Sequence, residues 1–322
     1  MGNFKNTNKV SIVLATYNGE NFLSETLRSV LNQSYRNFEF IIVDDGSNDS
    51  SKKIIRFYEK NDKRIRFFSL KHKGPTFALN FGASKVSSKW IARIDQDDVW
   101  EKNKLRKQIQ FLEENKKIIL LGTGCREIDI YNNVIGYYCY PTSDFLLKFN
   151  LKRYKRFFPH SSAIYRTSVF RKIGGYNNLF FMADDWNLWT EFAKRGLISS
   201  IDLPLVSVRK HNSQRSFFDF GKLQINHAIA SSALLFTFMR NVKANDYFIN
   251  WINSELEKCG YYQKKINFKK IKESYLSEKN FFKKFFIISQ YLMNDYSNFY
   301  IFFEKFFGSS LPHKLAKRWI NS

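Results

Sequence analysis

The chain has 322 residues, 44% of them hydrophobic and 25% charged, a composition typical of a globular protein and not of a disordered one. Its 52 Lys and Arg against 29 Asp and Glu give a formal charge of +23, which predicts attraction to nucleic acid, anionic lipid or phosphorylated substrates. No apolar run reaches the roughly 20 residues that span a bilayer, and the start of the chain lacks an apolar signal segment, so we expect a soluble or peripheral protein.

Strands and helices are predicted to alternate along the first third of the chain. Continuous β-branched and aromatic runs indicate strands at 10–17, 38–47, 65–70, 89–94 and 118–123. Helical spacing of apolar residues indicates helices at 21–33, 47–60, 76–85 and 101–114. Such alternation predicts an α/β fold with a mostly parallel central sheet flanked by helices.

The pattern loosens beyond about residue 130. An aromatic strand is predicted at 134–141, a Gly-Gly turn at 174–175 and a helix from 184. From about 215 the sequence indicates helices rich in Phe, Tyr and Lys. We therefore expect a domain over 1–215, with a nucleotide-binding half at 1–125 and an acceptor half at 126–215, followed by a helical, basic and aromatic region at 216–322.

Three cysteines, Cys125, Cys139 and Cys259, lack the paired spacing of a metal site or redox motif. The first two lie in apolar segments of strand character. An odd number of thiols in such surroundings is typical of reduced core residues, which predicts a cytoplasmic protein.

Acidic side chains gather where the predicted strands end. Asp44 and Asp45 close the second strand, and "WIARIDQDDVW" places Asp95, Asp97 and Asp98 after another. Like charges at the rim of a buried sheet repel one another, and a divalent cation held by a D-x-D pair would compensate them. The alternative is that these acids cap the helix that follows, a role we assign to Asp98.

Several segments together resemble the family 2 inverting glycosyltransferases, which have the GT-A fold. They are "VSIVLATYNGENFLSETLRSVLNQSYRNFEFIIVDDGSNDSS", "GPTFALNFGASKVSSKWIARIDQDDVW" and "GGYNNLFFMADDWNLWTEFAKRG", in that order. The similarity covers roughly residues 8–215. It implies a nucleotide-sugar donor, most simply a UDP-linked hexose or N-acetylhexosamine.

The resemblance implies a donor site on the first half of the chain. Residues matching the base and ribose segment are Thr16, Tyr17 and Glu20, and Asp45 matches the acid that binds the uracil ring. Asp95 matches the residue directed toward the ribose or a metal-bound water. Asn80 matches the second residue of an Arg-Asn pair, with Leu79 in place of the Arg. The diphosphate contact of that Arg would fall to another cation, namely Lys71, Lys73 or Arg93.

A metal site and a catalytic base are implied as well. Asp97 matches the direct metal ligand, with His211, two residues after Arg209, completing the site and Asp95 beside it. Carboxylate and imidazole ligands would suit Mn²⁺, with Mg²⁺ as a substitute. Asp185 aligns with the base that takes the acceptor proton in an inverting displacement.

Three further residues are assigned to the acceptor side. Asp184 precedes the base, His160 lies where relatives carry a polar residue, and Trp186 either stacks on a sugar ring or belongs to the core. The family builds surface glycans such as capsule and lipopolysaccharide on saccharide or lipid-linked acceptors. The aromatic, Lys-rich segment 281–307 either forms its own core or binds an anionic membrane surface, which would place the protein on the cytoplasmic face of the inner membrane.

Three other classes of protein remain as alternatives. A nucleic-acid-binding protein would also be basic, but the chain has no RNP signature or helix-turn-helix. A nicotinamide-dependent dehydrogenase would need G-x-G-x-x-G after the first strand, where this chain has "ATYNGE". An inactive sugar-nucleotide-binding module would not need the acids and histidine assigned above. We expect a non-processive enzyme, because the chain lacks membrane spans and lacks the Q-x-x-R-W motif of the processive relatives in the family that it resembles. The sequence does not fix the oligomeric state.

Overall fold

The structure is a computed structural model, which describes residues 9–152, 157–178, 184–212 and 214. The predicted helical region at 216–322, with Cys259 and the segment 281–307, lies outside the described residues. Within the described part, strands form a nine-stranded mixed sheet in the order β3-β2-β1-β4-β8-β6-β9-β5, with β7 paired to β6.

The first half of this sheet is parallel, as the sequence predicts. Its strands are β1 (Val10–Thr16), β2 (Phe38–Asp44), β3 (Ile65–Ser69) and β4 (Trp90–Arg93). The connecting helices are α1 (Leu23–Leu31), α2 (Ser51–Asn61) and α3 (Pro75–Ser84). All seven residues of β2 are buried, which explains why its sequence is apolar on both faces.

Helix α3 lies very close to the parallel strands. A Cβ atom added to Gly82 would be 2.9 Å from a methyl carbon of Val13 and 3.1 Å from one of Val43. Only glycine permits this approach without displacing the helix. The close packing holds α3, which carries Asn80, against β1 and β2.

The second half of the sheet mixes directions. Its elements are β5 (Val99–Trp100), α4 (Lys104–Glu114), β6 (Ile118–Ile128), β7 (Val134–Tyr138), α5 (Asp144–Lys152), β8 (Ile164–Arg166), α6 (Thr167–Ile173), α7 (Asp184–Ala193) and β9 (Leu197–Arg209). A short 3₁₀ turn, His160–Ser162, precedes β8. Strand β8 is antiparallel to both β4 and β6, so it joins the two halves into one sheet.

Some details of the sequence prediction are wrong. Helix α4 begins at Lys104 after Asn103, so Asp98 does not cap it. Instead the Oδ1 atom of Asp98 accepts a hydrogen bond from the backbone N–H of Arg209, at 3.1 Å. Cys125 is a buried thiol as expected, whereas Cys139 is exposed and follows β7, a strand whose own residues are mostly exposed.

The long strand β9 is the largest element without predicted bounds. It runs parallel to β6 from Leu197 to Arg209 and also pairs with β5. This course brings the residues after its end back beside Asp97 and Asp98. In the part of the chain that the structure describes, no helix combines the length and apolarity needed to cross a membrane.

Candidate active site

The acidic cluster lies at the carboxyl edge of the parallel strands, where α/β sheets bind ligands. The register of β1 with β2 pairs Thr16 with Asp44, so both strands end at the same level. Strand β4 ends at Arg93, two residues before Asp95. His211 follows the end of β9, and Asp184, Asp185 and Trp186 lie at the start of α7, whereas Asn80 lies in α3 and His160 in the 3₁₀ turn before β8.

Asp97 and His211 form the pair that fits a cation. His211 Nε2 lies 2.9 Å from Asp97 Oδ2, and their side chains are 9% and 16% exposed. Two neighbouring ligand atoms of an octahedral cation, each about 2.1 Å from it, are about 3.0 Å apart. The described residues contain no cluster of three or more His, Cys, Asp or Glu suited to a metal.

His211 is held in place by aromatic and backbone contacts. Its ring centroid lies 4.8 Å from that of Phe22. The preceding Arg209 is fully buried, donates from Nε to the carbonyl of Asp97 and pairs with Glu25 at 2.7 Å. A buried arginine thus connects the end of β9 to the D-x-D loop, and both metal-ligand candidates depend on it.

Asp95 is fixed by two donors that the sequence analysis did not assign to it. Arg93 Nη2 donates to Asp95 Oδ1 at 2.6 Å, and Ser161 Oγ donates to Oδ2 at 2.7 Å. The Asp95 N–H also donates to Ser161 Oγ. With both carboxylate oxygens accepting hydrogen bonds, Asp95 is a rigid neighbour of the Asp97 and His211 pair.

Asp98 lies behind this pair and is buried. Burial, together with the charges of Asp97 and Asp95, raises the pKa of its carboxyl well above the usual range. Its hydrogen bond to Arg209 is compatible with either protonation state, because one oxygen accepts in both. Asp98 therefore supports the D-x-D loop from within the core.

The middle residue of D-x-D, Gln96, ties the loop to the first strand. Its Oε1 atom accepts from the hydroxyl of Thr16 at 2.6 Å and from the N–H of Tyr17 at 2.9 Å. Thr16 is buried, whereas Tyr17 is 40% exposed. Among the residues predicted for the base and ribose segment, Tyr17 therefore presents an exposed aromatic ring.

Asp45 mainly anchors a loop. Its carboxylate accepts from the backbone N–H groups of Lys73 and Gly74, both at 2.9 Å, and pairs with His72 Nδ1 at 2.9 Å. The ring of His72 lies against that of Tyr17, with centroids 4.3 Å apart and the planes tilted by 31°. Little of the carboxylate therefore remains for the uracil ring, and Tyr17 and His72 present the exposed ring surface beside it.

Asp44, at the end of β2, holds the turn that follows. It accepts from the N–H groups of Gly46 and Ser47 and lies 3.6 Å from Lys52 Nζ. Gly46 has φ of +81° and packs on the backbone of His72, which explains the glycine at that position.

Glu20 and Asn80 bind other parts of the chain. Glu20 Oε2 accepts from the N–H of Ser50, before α2. Asn80 donates to the carbonyl of Tyr176 and accepts from its N–H, both at 2.8 Å. Asn80 therefore links α3 to the segment that leads toward α7.

The three cations considered for the diphosphate differ in position. Lys71 is exposed, and Lys73 Nζ lies 4.7 Å from the ring centroid of Phe77. Arg93 is only 4% exposed and is bonded to Asp95. In the structure described, the two lysines are therefore more accessible to a diphosphate than Arg93.

The predicted base, Asp185, sits in the first turn of α7. Its Oδ1 atom accepts from the N–H of Trp186 at 2.7 Å, and Asp184 beside it is 6% exposed. Carboxylates are favourable at a helix N-terminus because the helix dipole is positive there. Trp186 is buried and its ring contacts Phe157, which favours the core role over sugar stacking.

His160 belongs to a buried network of hydroxyl groups. Its Nε2 atom lies 2.8 Å from the hydroxyl of Tyr176, which lies 2.9 Å from that of Tyr165. Burial raises the pKa of Tyr165 to about 12 and that of Tyr176 well above its usual value. Both hydroxyls are therefore neutral donors and acceptors near the start of α7.

Comparison with known proteins places the chain in an established family. The profile of glycosyl transferase family 2 matches residues 11–174. A glycosyltransferase of Haemophilus influenzae is 30% identical over 217 residues, which cover 64% of this chain and 67% of that protein. The O-antigen biosynthesis glycosyltransferase WbnJ of Escherichia coli is 29% identical, covering 56% of this chain and 70% of WbnJ. The chain spans only 17% to 36% of the Rickettsia glycosyltransferases that it matches.

Solved structures share the fold at low identity. S. aureus TarS 1-349 in complex with UDP-GlcNAc superposes with a TM-score of 0.57 at 20% identity, covering 76% of this chain and 79% of that one. The mannosyltransferase PcManGT of Pyrobaculum calidifontis, in complex with GDP-Man and Mn²⁺, gives 0.54 at 19% identity, covering 77% and 69%. The sheet and its flanking helices are thus those of the GT-A fold.

Proposed function

The chain belongs to glycosyl transferase family 2, and from this premise we propose that it moves a hexose or N-acetylhexosamine from a UDP-sugar to a glycan or lipid-linked acceptor, with inversion and without processivity. The observation that carries the proposal is the Asp97 and His211 pair, 2.9 Å apart at the carboxyl edge of the sheet. TarS in complex with UDP-GlcNAc supports the choice of donor.

The metal requirement is part of the proposal. Asp97 and His211 would hold Mn²⁺ or Mg²⁺, and Asp95 would remain beside them, fixed by Arg93 and Ser161. The cation would supply charge stabilisation to the departing diphosphate. PcManGT in complex with GDP-Man and Mn²⁺ supports this assignment.

Tyr17 and His72 would receive the nucleobase. Their adjacent rings are about half exposed, beside an Asp45 carboxylate already bonded to the 72–74 loop. Aromatic faces bind the flat ring of a base by stacking, at about 1–3 kcal/mol per base. Glu20 would support this site through its hydrogen bond to the N–H of Ser50, and Asn80 would hold the segment that leads toward α7.

Asp185 would act as the catalytic base. In one displacement the acceptor oxygen forms a bond to the anomeric carbon, its proton passes to the Asp185 carboxylate, and the bond to the diphosphate breaks on the opposite face. Asp185 lies in the first turn of α7, where the N–H of Trp186 holds its carboxylate in place. The acceptor side would be supported from the core by three further residues, namely Asp184, His160 and Trp186.

The setting proposed for this reaction is surface polysaccharide synthesis in the cytoplasm, with peripheral attachment to the inner membrane. Support comes from relatives such as the O-antigen biosynthesis enzyme WbnJ. The positive charge of the chain would favour anionic lipid.

A binding experiment tests the donor proposal directly. Thermal unfolding would be followed with UDP, GDP, CDP and ADP, each with Mn²⁺ and with EDTA, and then with UDP-sugars. We expect stabilisation by UDP that requires Mn²⁺ and grows with the correct sugar. Equal, metal-independent responses to all four nucleotides, or tighter binding of single-stranded RNA that weakens steeply with salt, would contradict the proposal.

A further inference from the structure

A row of aromatic and basic side chains runs the length of helix α3, from just before its start to just after its end. Lys73, Phe77, Phe81 and Lys85 follow one another at intervals of four residues, which places them on one side of the helix. The other side packs on the sheet through residues such as Gly82. Phe77 is 36% exposed although it is apolar. The outer side of α3 therefore combines exposed ring surface with a cation at each end.

Strand β3 widens this row. The ring centroid of Phe68 lies 5.5 Å from that of Phe81, and Arg66 Cζ lies 5.8 Å from the centroid of Phe68. Arg66 also donates to the carbonyl of Lys85 at 3.0 Å, and its side chain is 42% exposed. Among the described strands β3 pairs with β2 alone, so it forms an edge of the sheet. We call the whole surface the α3–β3 face, and its members are Arg66, Phe68, Lys73, Phe77, Phe81 and Lys85.

The α3–β3 face is strongly basic. Residues 63–94 contain eight Lys and Arg and no Asp or Glu, in a chain where acids make up 29 of 322 residues. Arg66 pairs with the buried carboxylate of Glu39 at 2.8 Å. The ammonium groups of Lys73 and Lys85 instead lie over phenyl rings, 4.7 Å from the centroid of Phe77 and 4.8 Å from that of Phe81. Long stems along apolar surface with charged heads at the rim are typical of side chains at an interface with anions.

The opposite face of the same sheet has a different character. Phe67 contacts Arg56 of α2, whereas the next residue, Phe68, contacts α3, because neighbouring residues of a strand point to opposite faces. Helices α2 and α3 therefore lie on opposite sides of β3. On the α2 side acids are interspersed with the cations, since Glu59 accepts from the N–H of Phe67 and Asp62 pairs with Arg64. The uniform positive charge is a property of the α3 side.

This combination of charge and apolar rings fits an anionic bilayer better than a nucleic acid. Single-stranded nucleic acid binds by stacking its bases on open aromatic faces. Here Lys73 and Lys85 already lie over the rings of Phe77 and Phe81. At a bilayer the same cations would bind lipid phosphates, while the rings enter the boundary between headgroups and acyl chains.

We propose that the α3–β3 face docks the protein on a bilayer that contains anionic phospholipid. Lys85 and Arg66 bind the phosphates, and Phe77 enters the headgroup layer. The inference rests on the proposed function, because it assigns a surface and a lipid chemistry to the peripheral attachment proposed there. Since Lys73 belongs to the loop that Asp45 holds, docking would bring the rim of the candidate base site close to the membrane.

The test measures binding of the full chain to vesicles by cosedimentation. The wild type should bind vesicles of phosphatidylglycerol and phosphatidylethanolamine, more weakly as salt is raised, and bind phosphatidylcholine vesicles poorly. The double variant Phe77→Ser with Lys85→Gln should bind the anionic vesicles at least about tenfold more weakly, because one cation at such a surface contributes about fivefold and the ring adds to it. Unchanged binding of this variant would overturn the proposal.

The matched control makes the same two changes on α2. Lys53→Gln with Phe57→Ser removes one exposed cation and one ring that is 64% exposed, also at helical spacing, from the opposite side of the sheet. It should bind within about twofold of the wild type, because the charge it removes does not face the lipid. An equal loss in both double variants would show that the chain adheres through its overall charge, and this would overturn the choice of face.

A conservative variant separates docking from damage to the fold. Phe77→Trp with Lys85→Arg keeps a ring and a charge at both positions and should bind the anionic vesicles as the wild type does. If Phe77→Ser with Lys85→Gln does not fold, Lys85→Gln alone should still weaken binding about fivefold. Wild-type binding by that single variant, or weak binding by the Trp and Arg variant, would contradict the proposal.

Thermal unfolding with UDP and Mn²⁺, measured on the same proteins, separates docking from the proposed function. The stabilisation by UDP should be the same in Phe77→Ser with Lys85→Gln as in the wild type. A wild type that binds anionic vesicles through this face but no nucleoside diphosphate would refute the proposed function alone. Binding of UDP without binding of vesicles would refute docking alone. Binding of single-stranded RNA that the double variant loses, in a protein that ignores vesicles, would assign the face to nucleic acid and overturn the proposal.

Discussion

His211 Nε2 lies 2.9 Å from Asp97 Oδ2, although 114 residues separate them along the chain. The contact exists because β9 runs back along β6 and β5 and ends beside the D-x-D loop. Arg209, at the end of β9, makes the approach rigid through its hydrogen bond to the Asp97 carbonyl. This relationship gives the cation proposal its sharpest test.

Asp97→Asn should abolish the effect of Mn²⁺ on nucleotide binding. An amide is a much weaker ligand than a carboxylate, so we expect the affinity for Mn²⁺ with UDP to fall at least about tenfold. Titration calorimetry with UDP, with and without Mn²⁺, measures this directly. Asp202→Asn removes an acid exposed on β9 and serves as control. Unchanged Mn²⁺ dependence in Asp97→Asn would place the cation elsewhere.

Asp185→Asn should separate binding from chemistry. We expect the nucleotide affinity to stay within about twofold while transfer slows by about 10²–10⁴, the range of a lost general base. Product formation with a donor identified by thermal shift provides the measurement. Glu191→Gln, on the outer part of the same helix and paired with Lys194 and Arg195, should leave transfer unchanged. Normal turnover in Asp185→Asn would mean that another group takes the proton.

Asn80→Ala should loosen the segment between α6 and α7. Both backbone groups of Tyr176 would lose their partner, which we expect to cost about 1–3 kcal/mol of unfolding free energy and to lower the transfer rate. Chemical denaturation gives the stability. Asn115→Ala, which removes an exposed side-chain bond to Phe111, should cost much less. A fall in UDP affinity without loss of stability would instead indicate that Asn80 contacts the donor.

Lys104→Met should stabilise the protein at neutral pH. Lys104 is fully buried, bonded to Gln108 Oε1 at 2.8 Å, and burial lowers its pKa well below the usual value. Below the unfolded pKa of about 10.4, the unfolded chain takes up a proton that the folded one resists, so wild-type stability rises with pH. The variant removes this penalty, and we expect a gain of more than about 1 kcal/mol at pH 7.

The gain in stability of Lys104→Met should depend on pH. The stability difference between Lys104→Met and the wild type should shrink as the pH rises through about 10.4, because above that pH Lys104 is neutral in the unfolded wild-type chain as well. Thermal denaturation at several pH values would show it. Lys107→Met, on the exposed side of α4, should show no comparable gain. A constant difference across pH would attribute the effect to packing alone.

The parallel half of the fold was predictable because its strands are buried on both faces. All seven residues of β2 are buried, and its apolar run at 40–43 is short and rich in β-branched residues, as expected of such a strand. Strand β9 is harder to predict from the sequence, because Ser199, Ser200 and Pro204 interrupt its apolar pattern. It is held in the sheet by its long pairing with β6. The two residues of β5 carry no periodicity at all.

Partners that are distant in sequence explain the differences at the site. Asp45 and Asn80 follow family motifs, yet their hydrogen bonds go to residues 28 and 96 positions away, which no local pattern reveals. Arg93 was one of three candidate cations for the diphosphate, and only its burial and its bond to Asp95 point to another role. The sequence reveals which chemistry is available, whereas side-chain contacts determine which groups are already engaged.

The late position of His211 in the chain has a consequence for synthesis. Thr16 and Tyr17 emerge early from a ribosome, while the imidazole that meets Asp97 emerges only after β9 has been made. A nascent chain halted before β9 would therefore lack half of the candidate cation pair. Translation has to pass residue 211, and β9 has to pair, before the centre we propose can exist.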